Sequence, residues 1–199
     1  MKTAQAFQYK LSESNGPWLI GQVLISKNSD STYSLSHIAN DQKPELFHDP
    51  VILRKWVNID EKGEYRPLKG EGNLKPGWKL DALSLDALIF ALNVIYPTAI
   101  ANWLHYDANS LRITPFQETA ARQTGMYRVV ARQLTDQQLQ EVERETCGIK
   151  CLKIRLWNGQ VVEPKEKQDK QEDHIPLLCP EACNLFVAAC RSKIKSKAQ

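Results

Sequence analysis

At 199 residues the chain can form one domain or two small ones, and with 42% hydrophobic and 25% charged residues it can bury a core, which excludes disorder as its default state. The formal net charge of +3 leaves acidic and basic residues nearly balanced, so no nucleic-acid partner is expected. No apolar run approaches the ~20 residues that cross a membrane, and "MKTAQAFQYKLSESNG" lacks the apolar stretch of a secretory signal, so no membrane association is expected and the expected compartment is the cytoplasm.

The first forty residues read as β-structure: "WLIGQVLIS" (18–26) as a strand, "KNSDS" as a turn and "TYSLSHIA" (32–39) as the return strand of a hairpin. "DPVILRKWV" (49–57) reads as a short helix, with Asp49 as its cap and Pro50 at its first position. The glycines and prolines of 58–78 mark a turn-rich connection, and their spacing matches neither GxxxxGK[ST] nor GxGxxG. "SLDALIFALNVIYP" (84–97) is the clearest helix: Ser84 caps it, Asp86 sits in its first turn, Leu85, Leu88, Ile89, Leu92 and Ile95 share a face, and Pro97 stops it. A second helix is predicted through 98–107, a strand over "GMYRVVARQL" (125–134), and a helix over 135–147 with Thr135 and Gln138 as a capping box and Gly148 as its end. "CLKIRLW" (151–157) reads as a strand, "EPKEKQDKQEDH" (163–174) as a solvated loop, and "IPLLCPEACNLFVAACRSKIK" as a final helix. Together these predict an α+β fold, β-rich with helices in its N-terminal part, and divided into 1–120 and 121–199.

The chain has five cysteines, all in two short stretches of the second part: Cys147-x3-Cys151, then 27 residues, then Cys179-x3-Cys183, then six residues, then Cys190. In a reducing compartment clustered thiols bind metal or do redox work more often than they form disulfides, and an odd count fits a disulfide framework poorly. Four thiolates in two pairs can surround one metal centre, either a structural zinc or an iron–sulfur cluster. Zinc knuckles favour the tighter C-x2-C spacing, whereas a cuboidal cluster is larger and suits the wider one. Pro180 at a first helical position makes Cys179 the expected cap, with the helix N-terminus lowering its thiolate pKa, and puts Cys183 one turn on. Lys150, Lys153, Arg155 and Arg191 are candidates to offset the negative charge of such a centre. Cys190, in "LFVAAC", reads as a small core residue.

With these residues placed, "RQTGMYR" (122–128), "CGIKCLKIRLW" (147–157) and "CPEACNLFVAACR" (179–191) resemble the C-terminal part of CbiX-type cobaltochelatase-like proteins, in which a chelatase-like domain is followed by a stabilising domain and a 4Fe–4S-binding domain. "HDP" (48–50), "EYRPLKG" (64–70) and "LKPGW" (74–78) look like landmarks of the stabilising part. The resemblance implies that 1–120 is a stabilising-type domain, that 121–199 binds the cluster, and that Cys147, Cys151, Cys179 and Cys183 are its ligands. It does not carry over an activity. Tetrapyrrole metal insertion of this kind needs a histidine pair, and His37, His48, His105 and His174 stand in unrelated contexts.

The remaining features carry bland readings. No GxSxG, HExxH, Walker or kinase signature is present. "RSKIKSKAQ" is a basic, solubilising end, and Tyr65, Trp78, Trp103, Tyr106 and Trp157 are core aromatics. Arg122 and Arg128 are expected to pair with Glu118 in the fold, the alternative being an anionic ligand such as a tetrapyrrole carboxylate. The expected function is a 4Fe–4S protein in electron transfer, sensing or regulation, accessory to tetrapyrrole or cobalamin metabolism, with a redox partner protein and no bond-making catalysis. The alternative is a zinc-stabilised interaction module. Nothing in the sequence sets the oligomeric state.

Overall fold

Phe7 and Leu11 lie one helical turn apart, and in the computed structural model they form the buried face of an N-terminal helix, α1 (Thr3–Ser12). This corrects the reading of the first forty residues as β-structure alone. The structure describes residues 3–13, 16–40, 43–57, 74–148, 151–157 and 173–196. Residues 58–73 of the expected turn-rich connection over 58–78, residues 163–172 of the solvated loop expected over 163–174, Lys150, and the last residues of the basic tail lie outside them.

After α1 come β1 (Trp18–Ile20), β2 (Val23–Lys27), β3 (Tyr33–His37), β4 (Glu45–Phe47) and a 3-10 turn over Pro50–Lys55. β5 (Trp78–Leu83), α2 (Leu85–Ile95), α3 (Ala99–Asp107), α4 (Phe116–Ala121), a 3-10 turn over Gly125–Val129, α5 (Val130–Gln133) and α6 (Asp136–Glu143) follow. A π-turn over Arg144–Gly148, β6 (Ile154–Arg155), β7 (His174–Ile175), β8 (Leu178–Cys179) and α7 (Asn184–Lys195) complete the described chain. This is the expected α+β class. Contacts divide it into two units, one of 1–68, 72–110 and 167–177, the other of 69–71, 111–166 and 178–199. Phe116–Ala121, which straddle the division expected after residue 120, belong to the second.

In the first unit, the stretch read as one strand over 18–26 is two, because Gly21 (φ +55) turns the chain between Ile20 and Val23. A Cβ there would meet Tyr96 Oη at 2.6 Å and Leu177 Cδ1 at 2.8 Å, so glycine is required by space as well as by φ. Buried Tyr96 in turn accepts the Gln22 N–H at 2.8 Å and ties the turn to the end of α2. The expected β2–β3 hairpin is present, with Ile25 opposite Leu35. Among the described residues the sheet has the order β4-β5-β3-β2-β1-β7, with β4–β5 and β1–β7 parallel. α2 packs on β3 and β5, and its cap is the predicted one, Ser84 Oγ accepting from Ala87 N at 3.3 Å. Asp49 caps the 3-10 turn as expected, accepting from Val51 N at 2.9 Å.

Two histidines lie within this sheet. His37 is buried on β3; His174, read as loop, is half-buried on β7 opposite Leu19. Burial pushes both imidazoles below their ordinary range. The unfolded chain therefore takes up protons more readily as pH falls below about 6.5, and stability that is full above that pH drains away towards the folded-state pKa values. Thermal melts between about pH 7.5 and pH 5.5 should show Tm falling with acidity, and a His37→Gln variant should show a shallower fall. Parallel slopes for the two proteins would remove His37 as the cause.

Among the described residues the second unit is helical, with one short two-stranded pairing. The strand expected over 125–134 is a 3-10 turn running into α5. Tyr127, Val130, Ala131 and Leu134 recur at helical spacing and pack on the core, and that period outweighs the β-preference of the Val129–Val130 pair. The core gathers Phe116, Val130, Val142, Trp157, Phe186 and Cys190. At its middle Phe116, Trp157 and Phe186 meet pairwise, with ring centroids 4.7–5.8 Å apart.

Candidate metal centre

Each cysteine reaches its place by a local rule. Thr135 and Gln138 form the predicted capping box, which starts α6, and Val142 sinks into the core. The π-turn at the helix end then carries Cys147, partly buried and packed on that core. Cys151 precedes β6. The parallel pairing of β6 with β8 sets Ile154 opposite Leu178 and Arg155 opposite Cys179, so the segments that follow one cysteine pair and precede the other are hydrogen-bonded neighbours. Leu156 N donates to Cys179 O at 3.0 Å across this pair.

One expectation is corrected here. Cys179 ends a strand and is not the cap of the last helix; Cys183 is that cap, in extended conformation (φ −77, ψ 163). The Pro180 carbonyl accepts from Thr114 N at 2.9 Å, so it is engaged away from the helix, and α7 begins only after a bend. The helix N-terminus therefore starts at Cys183, the exposed member of the four, rather than at Cys179, and the Cys183 side chain makes no cap hydrogen bond there.

The bend between Cys179 and Cys183 is pinned from α4. Glu181 accepts from Thr119 Oγ1 at 3.3 Å and pairs closely with Arg122. The expected pairing of Arg122 with Glu118 is replaced, because Glu118 binds Arg112 at 3.1 Å. Cys179 Sγ donates to the Glu181 carbonyl at 3.1 Å. Thr114, Thr119 and Glu181 are positioning residues that sequence reasoning missed. Their one signal is a glutamate inside C-P-E-A-C, and its partners lie about sixty residues away in sequence.

The thiols feel one another. Burial pushes Cys147 up to about 12, with the charges of Cys151, Cys183 and Cys179 adding to the shift and Arg155 opposing it. Burial likewise pushes Cys179 up to about 11; Cys183 and Cys151 reinforce the shift, and Lys153 and a hydrogen bond from Trp157 oppose it. Cys151 is raised by burial, with Cys183 adding and Lys153 opposing. Without a bound cation these three sulfurs hold their protons, and ligation must displace them. Among the described residues no group of three or more His, Cys, Asp or Glu side chains is arranged to hold a metal ion.

Cys190 stands apart. It is fully buried in the aromatic core, and burial, with the charge of Glu143, pushes its thiol up to about 12. Of the expected cations, Lys153 and Arg155 bear on the cysteines. Arg191 instead lies over the Tyr127 ring at 4.6 Å and donates to its hydroxyl at 2.8 Å. The histidines sit on β3, beyond β4, on α3 and on β7. Trp78, Trp103 and Trp157 are core aromatics as expected, whereas Tyr106 is exposed and Tyr65 lies outside the described residues.

The donor types are those of a thiolate-ligated centre: four cysteines lie in one unit, with Arg155 bearing on Cys147 and Lys153 on Cys151 and Cys179.

Comparison with known proteins finds two family models along the chain. A family model described as the DR2241 stabilising domain matches residues 3–107, and one described as a 4Fe–4S iron–sulfur cluster binding domain matches residues 108–192. No curated protein matches the chain. Among solved structures, DR2241 from Deinococcus radiodurans is similar over 97% of this chain, at 27% identity and a TM-score of 0.73. It is described as a multi-domain protein with structural similarity to chelatases and two additional novel domains. The present chain spans 41% of its length.

Proposed function

The chain belongs to the DR2241 stabilising-domain family, and from that premise we propose that it is a 4Fe–4S protein whose cluster is held by Cys147, Cys151, Cys179 and Cys183. The observation that carries this reading is that the 4Fe–4S family match spans the unit in which Cys147, Cys151 and Cys179 each feel the charge of Cys183, while Cys190 lies outside that coupling. When bound, the cluster supplies a one-electron centre. The protein's own contribution is to hold the sulfurs beside two hydrogen-bonded strands and two helix ends, to exclude water with the Phe116–Trp157–Phe186 core, and to set the local charge.

The role we propose is electron transfer, sensing or regulation in a reducing compartment, with a partner protein as the electron source. Exposed Cys183 offers the partner its approach. An accessory place in tetrapyrrole or cobalamin metabolism draws support from the CbiX-type resemblance and from the chelatase-like character of the Deinococcus protein.

Anaerobically reconstituted protein should be brown, with about four iron and four sulfide per chain. Colourless protein lacking sulfide defeats the proposal, and zinc without sulfide selects a structural four-cysteine zinc site in its place.

A further inference from the structure

We infer that Arg155 is the fixed cation of this centre: held by Glu143 and Trp157, it directs positive charge at the cysteine sulfurs and sets the reduction potential of the bound cluster. The inference rests on the cluster reading above and adds to it the residue that governs the cluster's potential.

Arg155 adjoins three of the four cysteine segments. It stands opposite Cys179 in the β6–β8 register, and it follows Cys151 by four residues. Its Nη1 lies 3.1 Å from Oε2 of Glu143, four residues before Cys147 on the helix that leads to it. Its guanidinium carbon lies 5.7 Å from the Trp157 ring centroid. The Arg155 and Glu143 side chains are only 13% and 9% exposed.

A guanidinium buried this far is expected to use all its donors, because an unmet N–H keeps its desolvation cost. Arg155 does not: its Nε is buried without a hydrogen-bond partner. Nη1 is taken by Glu143, and the unpartnered Nε belongs to a residue set among cysteine segments. Thiolate and sulfide sulfur are the acceptors this neighbourhood would provide once a cluster is bound, and hydrogen bonds and positive charge at the sulfurs are recognised levers on a cluster's potential. Arg155 is thus a positioning and charge-setting residue; it forms no bond to iron.

The sign follows from charge. On reduction one electron enters the cluster, no bond forms or breaks, and the centre's net negative charge grows by one. A nearby cation stabilises the reduced form more than the oxidised form and so raises the potential; a nearby anion lowers it.

The test is a redox titration of wild type, Arg155→Gln, Arg155→Lys and Glu143→Gln. Each is reconstituted anaerobically, assayed for iron and sulfide, and reduced stepwise with dithionite through a mediator. Arg155→Gln should lower the midpoint potential, Arg155→Lys should lower it less, and Glu143→Gln should raise it. Because Arg155→Gln removes the cation beside Glu143 and can cost folding, Arg155→Lys and Glu143→Gln, which both keep a positive charge at position 155, decide the matter if it fails to load. Loaded variants with the wild-type potential, or Arg155 and Glu143 variants that shift in the same direction, overturn the inference and leave the cluster reading intact. Wild type without iron and sulfide overturns both.

Discussion

Replacing Cys183 by serine is expected to strip most of the iron and sulfide from the protein, whereas the same change at Cys190 should leave both in place. Structural zinc sites of finger peptides draw on the order of 10–16 kcal/mol from four ligands, and on that scale losing one ligand costs roughly 3 kcal/mol, about 100-fold in affinity. Cys183 is exposed at the start of α7, where serine is a good helix cap, so its replacement should not harm the apo fold. Cys190 is fully buried between helices, and a serine hydroxyl there costs about 1–3 kcal/mol of stability for want of a partner. Iron and sulfide assays read the first effect and a thermal melt the second. Equal loss of iron in both variants would mean that the four ligands have been misassigned.

The helices that were legible in the sequence carry both a period and a stop. In α2, Leu88, Leu92 and Ile95 mark the buried face, Ser84 caps it and Pro97 follows it. In α6 the reciprocal Thr135–Gln138 pair is visible in the letters alone. α1 was not legible because Phe7 and Leu11 are its only buried residues, and two positions make no period. β5 was hidden by the glycines and prolines before it, although Trp78, Leu80 and Leu83 all face inward. Its alternation slips by one at Ala82, where φ is +55 and the register with β3 shifts.

The site was legible as chemistry and not as geometry. The two C-x3-C pairs are local facts, so the four cysteines could be singled out. Which of them starts a helix depended on a carbonyl bonded to Thr114, sixty-six residues before Pro180, and no local pattern encodes that. The same holds for Arg155. Its charge is visible in the sequence, but its burial, its grip on Glu143 and its place opposite Cys179 come from a strand pairing whose two members lie on either side of a long connection.

Phe186→Ala should be the most damaging single change to the second unit. Phe186 is fully buried, meets Phe116 at 5.1 Å and Trp157 at 4.7 Å, and lies within the first turn of the helix that begins at Cys183. Truncation removes a large apolar side chain and leaves a cavity between rigid rings, which costs about 3–5 kcal/mol. For a unit of this size that lowers Tm by more than roughly 10 °C. The cavity also frees Trp157, which bonds to Cys179, and the start of α7, which places Cys183, so two sulfur positions loosen together. Hydrogen exchange should therefore quicken in α4, α6 and α7 while β2, β3 and β5 keep their protection, and reconstituted protein should lose iron faster to a chelator than wild type does. Unchanged exchange in α7 with a wild-type rate of iron loss would mean that the aromatic core does not hold the sulfurs in place.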